Sequence, residues 1–176
     1  MKKVWLSIIL GVILLLAACS SEDKKEQVNE SPEEGVGFSL SGDSIEEAEN
    51  IPGEAKEQIL QAFDAYIEAF NQKDIDAYFE TLSKDTESFD LEEERAYMEQ
   101  TFSENDLNRT ATETTIVKYT DTEAQVFSKL KTSMKQLATG YEINPTGRQV
   151  TLFTKEEGEW KVSAVHYIGD SEEEEK

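Results

Sequence analysis

The stretch Tyr66–Lys84, YIEAFNQKDIDAYFETLSK, decides how this chain folds. Tyr66, Ile67 and Phe70 continue a series begun upstream by Ile59, Ala62 and Phe63, and apolar residues recurring at three- and four-residue steps give a helix one buried face. Asp74 follows, with a short carboxylate suited to capping free backbone N–H groups. Ile75, Tyr78, Phe79 and Leu82 then share one side of a second, shorter helix. Farther along, Asp90 with Glu93 three residues later has the pattern of a capping box and opens a third helix carrying Leu91, Met98 and Phe102. The first half of the domain is expected to be helical.

Beyond Arg109 the pattern changes to β-branched residues and alternation, which predicts strands over Thr112–Tyr119, Ala124–Leu137, Arg148–Lys155 and Trp160–Ile168. Thr120-Asp121-Thr122 and Glu156-Glu157-Gly158 are short enough for hairpin turns, and Gly140–Gly147, with Pro145, reads as a longer loop. Helices followed by an antiparallel meander of about four strands define an α+β domain whose helices cover one face of the sheet.

Tyr66–Lys84, the strands after it and the closing EEGEWKVSAVHYI (residues 156–168) together resemble the nuclear transport factor 2-like superfamily, including its SnoaL-like members. The resemblance covers the folded domain only and rests on apolar spacing, not on a catalytic signature. It implies a cystatin-like roll, in which a bent antiparallel sheet wraps the helices around a pocket. The family often has Gly before the Asp that begins the second helix; here that position is Lys73. Such a fold serves enzymes, carriers and interaction modules alike, so it does not by itself assign a function.

The chain begins Met1-Lys2-Lys3 and continues with apolar or small residues from Val4 to Ala18, the pattern of a secretory signal peptide. As a helix this run would reach about 22 Å, short of the ~30 Å hydrocarbon core, so it is a leader and not a permanent span. Leu16-Ala17-Ala18-Cys19 resembles the lipobox of bacterial lipoproteins. That resemblance implies a diacylglyceryl group on the Cys19 sulfur, cleavage just before it, and a membrane partner reached through the lipid. Cys19 is the single cysteine, so with its sulfur lipidated no disulfide is possible.

The expected organisation is a signal peptide over 1–18, lipidated Cys19 with an acidic tether through 53, an α+β domain over 54–169, and an acidic tail over 170–176. The expected location is the extracytoplasmic face of the cell membrane. Ser20, rather than Asp, after the lipidated cysteine resembles the signal for onward transport to an outer membrane in hosts that have one. Within the tether, Gly37–Gly42 (GFSLSG) approaches a serine-hydrolase elbow but has Ser41 where the motif needs Gly, and no strand and helix flank it.

Chemistry in the domain is sparse. Zinc and related metals favour Cys and His ligands, and the mature domain has one His and no free Cys. The acidic run Asp85–Glu94 lacks the turn Gly and ligand register of a calcium loop. No metal and no cofactor are expected. His166 is the catalytic candidate. Trp160, Val162, Ala164, His166 and Ile168 alternate along the last predicted strand and form an apolar face, which turns the imidazole inward. Asp64, Asp74 or Asp76 would orient it as a general base, in the manner that the SnoaL-like resemblance implies. Tyr66 and Tyr78 are core aromatics or pocket donors.

Lysine and arginine number 17 against 38 acidic residues, a net charge of −21, which removal of Lys2 and Lys3 makes more negative still. Phosphate recognition needs a basic surface, so nucleic acid is excluded as a partner. The acid is concentrated in the helical half, however. On the second strand Lys129, Lys131 and Lys135 fall on the side opposite Val126, Leu130 and Met134 and are joined by Phe127. The same parity adds Phe153, Lys155, Lys161 and Tyr167 from neighbouring strands. This outward face of Lys and aromatic residues is the candidate binding surface for an anionic envelope polymer, a protein partner or a second copy of the chain. The expected function is a non-catalytic binding module in the cell envelope, with a small SnoaL-like enzyme as the alternative.

Overall fold

The computed structural model describes residues 45–170. The leader, Cys19, the GFSLSG segment and the acidic run Glu172–Glu175 lie outside the described residues. Three helices come first, α1 (Gly53–Gln72), α2 (Ile75–Glu80) and α3 (Leu91–Glu104). Five strands follow, β1 (Asn105–Tyr119), β2 (Glu123–Gln136), β3 (Glu142–Ile143), β4 (Thr146–Glu156) and β5 (Glu159–Gly169). They form one antiparallel sheet in the order β1-β2-β4-β5, with the two-residue β3 paired to the end of β2. The architecture is the α+β roll expected from the sequence.

Helix α1 buries Ile59, Phe63, Tyr66 and Phe70 of the stripe its spacing predicts, together with Ala69, while Ala62 and Ile67 are partly buried. Full burial of large apolar side chains contributes about 1.5–3 kcal/mol each. Lys73 ends this helix in the left-handed conformation, at φ 55°. Its N–H donates to Phe70 O, and that of Asp74 donates to Ala69 O (both 3.1 Å), so the last carbonyls are satisfied. Lys73 accepts a backbone geometry that costs a Cβ-bearing residue roughly 1–2 kcal/mol. Its Nζ offsets part of that cost by donating to Asn105 O at 3.0 Å. Asp74 and Asp90 cap α2 and α3, accepting from Ala77 N and from Glu92 N and Glu93 N respectively. Rings from all three helices meet, with Phe70 edge-on to Phe102 at 5.4 Å and Tyr66 beside Tyr78 at 5.5 Å.

Packing on the domain starts before Glu54. Ala48 N donates to Ile116 O at 2.8 Å, and Ile51 lies against the core. Strand β1 starts at Asn105, seven residues earlier than its alternation indicates. Asn105, Asp106, Asn108 and Arg109 give no β-branched signal, but the end of β2 supplies backbone partners, pairing Leu107 with Met134 and Arg109 with Thr132.

Strand β5 departs most from expectation. Leu152 pairs with Ala164 while Phe153 pairs with Val162, so Ser163 is an extra residue, a β-bulge. The connection after α2 secures it: Thr86 Oγ1 donates to Ser163 O at 2.5 Å, and Ser83 N donates to Val162 O at 2.8 Å. An inserted residue reverses the parity of everything beyond it. Val162 therefore faces the helices with Phe153. Ala164, His166 and Ile168 join Leu152, Val150 and Arg148 on the opposite face, and Val165 and Tyr167 take the helix side with Thr151 and Gln149.

The proposed outward surface is corrected accordingly. Phe153 belongs to the core and Tyr167 faces the helix side. Phe127 does share the outer face with Lys129 but is only 2% exposed. Lys129, Lys131 and Lys135 are exposed, and Lys129 Nζ forms an ion pair with Glu113 at 2.8 Å.

Candidate functional site

A pocket of about 510 Å³ opens between the helices and the helix-facing side of the sheet. Tyr66 of α1, Tyr78 of α2 and Glu94, Tyr97 and Met98 of α3 form one wall. Arg109, Leu130, Thr132, Gln149 and the second half of β5 form the other. Leu82, Phe89 and Val162 make much of the lining apolar, and Tyr97, Val165 and Tyr167 are exposed at its edge.

The polar groups are held in a connected series. Arg109 is fixed through its backbone by Asn71: Arg109 N donates to Asn71 Oδ1 at 2.7 Å, and Asn71 Nδ2 donates to Arg109 O at 2.9 Å. Its guanidinium stacks on the Phe70 ring, 3.6 Å from the centroid, and Nη1 donates to the Tyr66 hydroxyl at 3.4 Å. Arg109 Nε is buried without a hydrogen-bond partner. Beside Tyr66, the Tyr78 hydroxyl donates to Glu94 Oε1 at 3.1 Å. Gln149 is 2% exposed, and its amide nitrogen donates to Thr151 Oγ1 at 2.8 Å. Gly147, also on the helix side, leaves room for Tyr167: a Cβ there would lie 2.6 Å from the Tyr167 ring and 2.5 Å from Ile168 O.

Burial pushes the Tyr78 phenol well above its usual range, and the neighbouring Tyr66 and Glu94 raise it further. The stability linked to this group is complete below the ordinary tyrosine value of about 10. It is lost above that value, where the unfolded chain releases a proton that folded Tyr78 retains. Between about pH 10 and 11 the loss approaches 1.4 kcal/mol per pH unit. Tyr78→Phe should therefore show a shallower alkaline decline than the unsubstituted protein in guanidinium unfolding across that window. Parallel declines would contradict the assignment.

The sequence-based candidates separate in space. His166 contributes to the pocket lining, but its ring belongs to the sheet face opposite the helices, paired with Val150. None of the three aspartates expected to orient it lines the pocket. Asp64 borders a separate shallow depression, Asp74 caps α2, and Asp76 pairs with Arg95 at 3.1 Å. Tyr66 and Tyr78 do reach the pocket. The sequence reading missed Glu94 and Arg109. Glu94 lies within an acidic run, yet it is four residues before inward-facing Met98 and so shares its helical face. Arg109 alternates with Leu107 and Ala111, both packed toward the core.

Comparison with known proteins places these features in a wider group. No match was found among curated proteins. The fold is shared with a conserved protein from Planctomyces limnophilus at 16% identity and a TM-score of 0.60, covering 68% of this chain and all of that one. It is shared with a ketosteroid isomerase-like protein from Erwinia carotovora at 22% identity and a TM-score of 0.56, covering 68% and 98%. A nuclear transport factor 2-like superfamily protein from Salmonella enterica has 14% identity and a TM-score of 0.57, covering 66% and 92%. These similarities define a nuclear transport factor 2-like fold, which houses enzymes and binding modules. Over residues 61–172, more than half of the chain, the sequence matches the family model of the C-terminal domain of the anti-sigma-I factor RsgI9, and the chain belongs to that family.

Proposed function

We propose that this protein is an extracytoplasmic lipoprotein, anchored through Cys19, whose domain is a non-catalytic module that binds a small ligand in the helix–sheet pocket. The observation that carries this reading is the pocket itself: about 510 Å³, within the range of small-molecule sites, with an apolar lining and a few fixed polar groups. The family's name supports a binding role, since it describes a domain of a regulatory protein. The pocket is favoured over the Lys129, Lys131 and Lys135 strip because Lys129 is paired with Glu113 and two of the aromatic residues expected beside the strip, Phe153 and Tyr167, face the other way. An enzyme using His166 as general base would need a carboxylate beside the imidazole inside the pocket. The pocket carboxylate, Glu94, is bonded to Tyr78 instead.

The test is a titration of the mature chain with a library of neutral and charged fragments, followed by heteronuclear NMR. Saturable shifts confined to Tyr66, Arg109, Gln149 and their neighbours are the expected result. An absence of saturable shifts across the library would overturn the ligand-binding role. Conversion of a bound fragment, abolished by His166→Ala, would establish the SnoaL-like enzyme in its place.

A further inference from the structure

We propose that the pocket selects an organic carboxylate with a compact apolar body, and that Arg109 is the residue that recognises it. The inference deepens the pocket-binding reading and rests on it.

The argument starts from charge. In a chain with 38 acidic residues, no carboxylate among the described residues forms an ion pair with Arg109. The charge of this half-buried guanidinium is met only by the face of Phe70 and by the weak 3.4 Å bond to the Tyr66 hydroxyl. A cation removed from water without a counter-charge is costly, and a planar guanidinium matches the geometry of a carboxylate. Glu94 lines the same pocket and accepts a hydrogen bond from Tyr78, but it forms no ion pair with Arg109. Arg109 is also held in place before any ligand arrives. Asn71 clamps its backbone in both directions and Phe70 supports the plane of its side chain, so little ordering is left to be done on binding.

The rest of the pocket defines the body of the ligand. Leu82, Phe89, Met98, Leu130 and Val162 offer apolar contact, which a highly hydroxylated or multiply charged molecule would not satisfy. The surrounding net charge of −21 opposes anions at long range, but this field is screened over about 8 Å at physiological ionic strength. Selection for the carboxylate therefore occurs at the guanidinium, inside the pocket.

The experiment compares matched pairs on the mature chain by isothermal titration calorimetry: benzoate against benzamide, and 3-phenylpropionate against 3-phenylpropionamide. Each acid is expected to bind at least tenfold more tightly than its amide, a difference of about 1.4 kcal/mol. Arg109→Met should abolish that preference and Arg109→Lys should retain part of it. The comparison on the unsubstituted protein stands even if a variant fails to fold. Amides that bind as tightly as the acids would overturn the carboxylate selection while leaving the pocket a binding site. Absence of both acid and amide binding would also overturn it, and the neutral members of the fragment library then decide whether pocket binding falls with it.

Discussion

Replacing Phe63 with Ala is expected to cost about 3–5 kcal/mol, because a phenyl ring is removed from a place where nothing can move in to fill it. Phe63 is 1% exposed at the middle of α1, with Ile59 one turn before it and Tyr66 and Phe70 after it, all against the inner face of the sheet. Both neighbouring layers are constrained. The helix is closed by the left-handed turn at Lys73, and the sheet beneath it is bulged at Ser163 and tied to the segment after α2. Collapse of the cavity would strain one of these. A domain of this size is commonly stable by about 5–15 kcal/mol, so the substitution consumes a large share and should lower the melting temperature by roughly 10 °C or more. Tyr141→Ala is the control: Tyr141 is 67% exposed, and its loss should change stability by no more than about 0.5 kcal/mol. Similar melting curves for the two variants would mean that α1 is not the centre of the core.

The same core explains which parts of the fold were legible in the sequence. Helices α1 and α2 announce themselves because a wide apolar stripe and a capping Asp are local signals. Lys73 is the instructive exception: the position needs a left-handed conformation, Gly would have advertised it, and Lys conceals it. Strand β1 is half hidden because its first residues pair through the backbone with β2 and expose most of their side chains. The pocket was harder. Its two key charges, Glu94 and Arg109, come from segments 15 residues apart whose apparent roles were an acidic helix face and a strand boundary; only folding brings both to the pocket.

The Ser163 bulge had the largest consequence. Strict alternation through Trp160–Ile168 puts His166 inside and Tyr167 outside, and one inserted residue exchanges them. Period-two reasoning fails beyond a bulge, and Val-Ser-Ala-Val contains neither Gly nor Pro to mark one. The chemical reading changed with it: a histidine was displaced from the role of pocket base, and a tyrosine took its place on the pocket side.

Cys19→Ala should abolish fatty-acid labelling of the protein almost entirely. One acyl chain gives only marginal, reversible attachment, whereas two chains, each burying methylenes at about 0.8 kcal/mol apiece, hold a protein stably. Little in the rest of the mature chain can substitute for the lipid. Its acidic charge is repelled by an anionic bilayer, and no helix among the described residues is long and apolar enough to cross a membrane. The expected results are loss of metabolic labelling by a radiolabelled fatty acid and impaired removal of the leader, so that variant chains left on the membrane retain residues 1–18 and only processed chains are soluble. The melting temperature of the domain should be unchanged, because Cys19 precedes every residue of the packed core. Labelling that persists in the alanine variant would overturn the assignment of Cys19 as the lipid-bearing residue. Labelling absent from both proteins would remove the lipid anchor and leave a secreted or leader-tethered domain. In either case the pocket chemistry is tested separately, because Arg109 and its partners lie wholly within residues 61–172, the segment that defines the family.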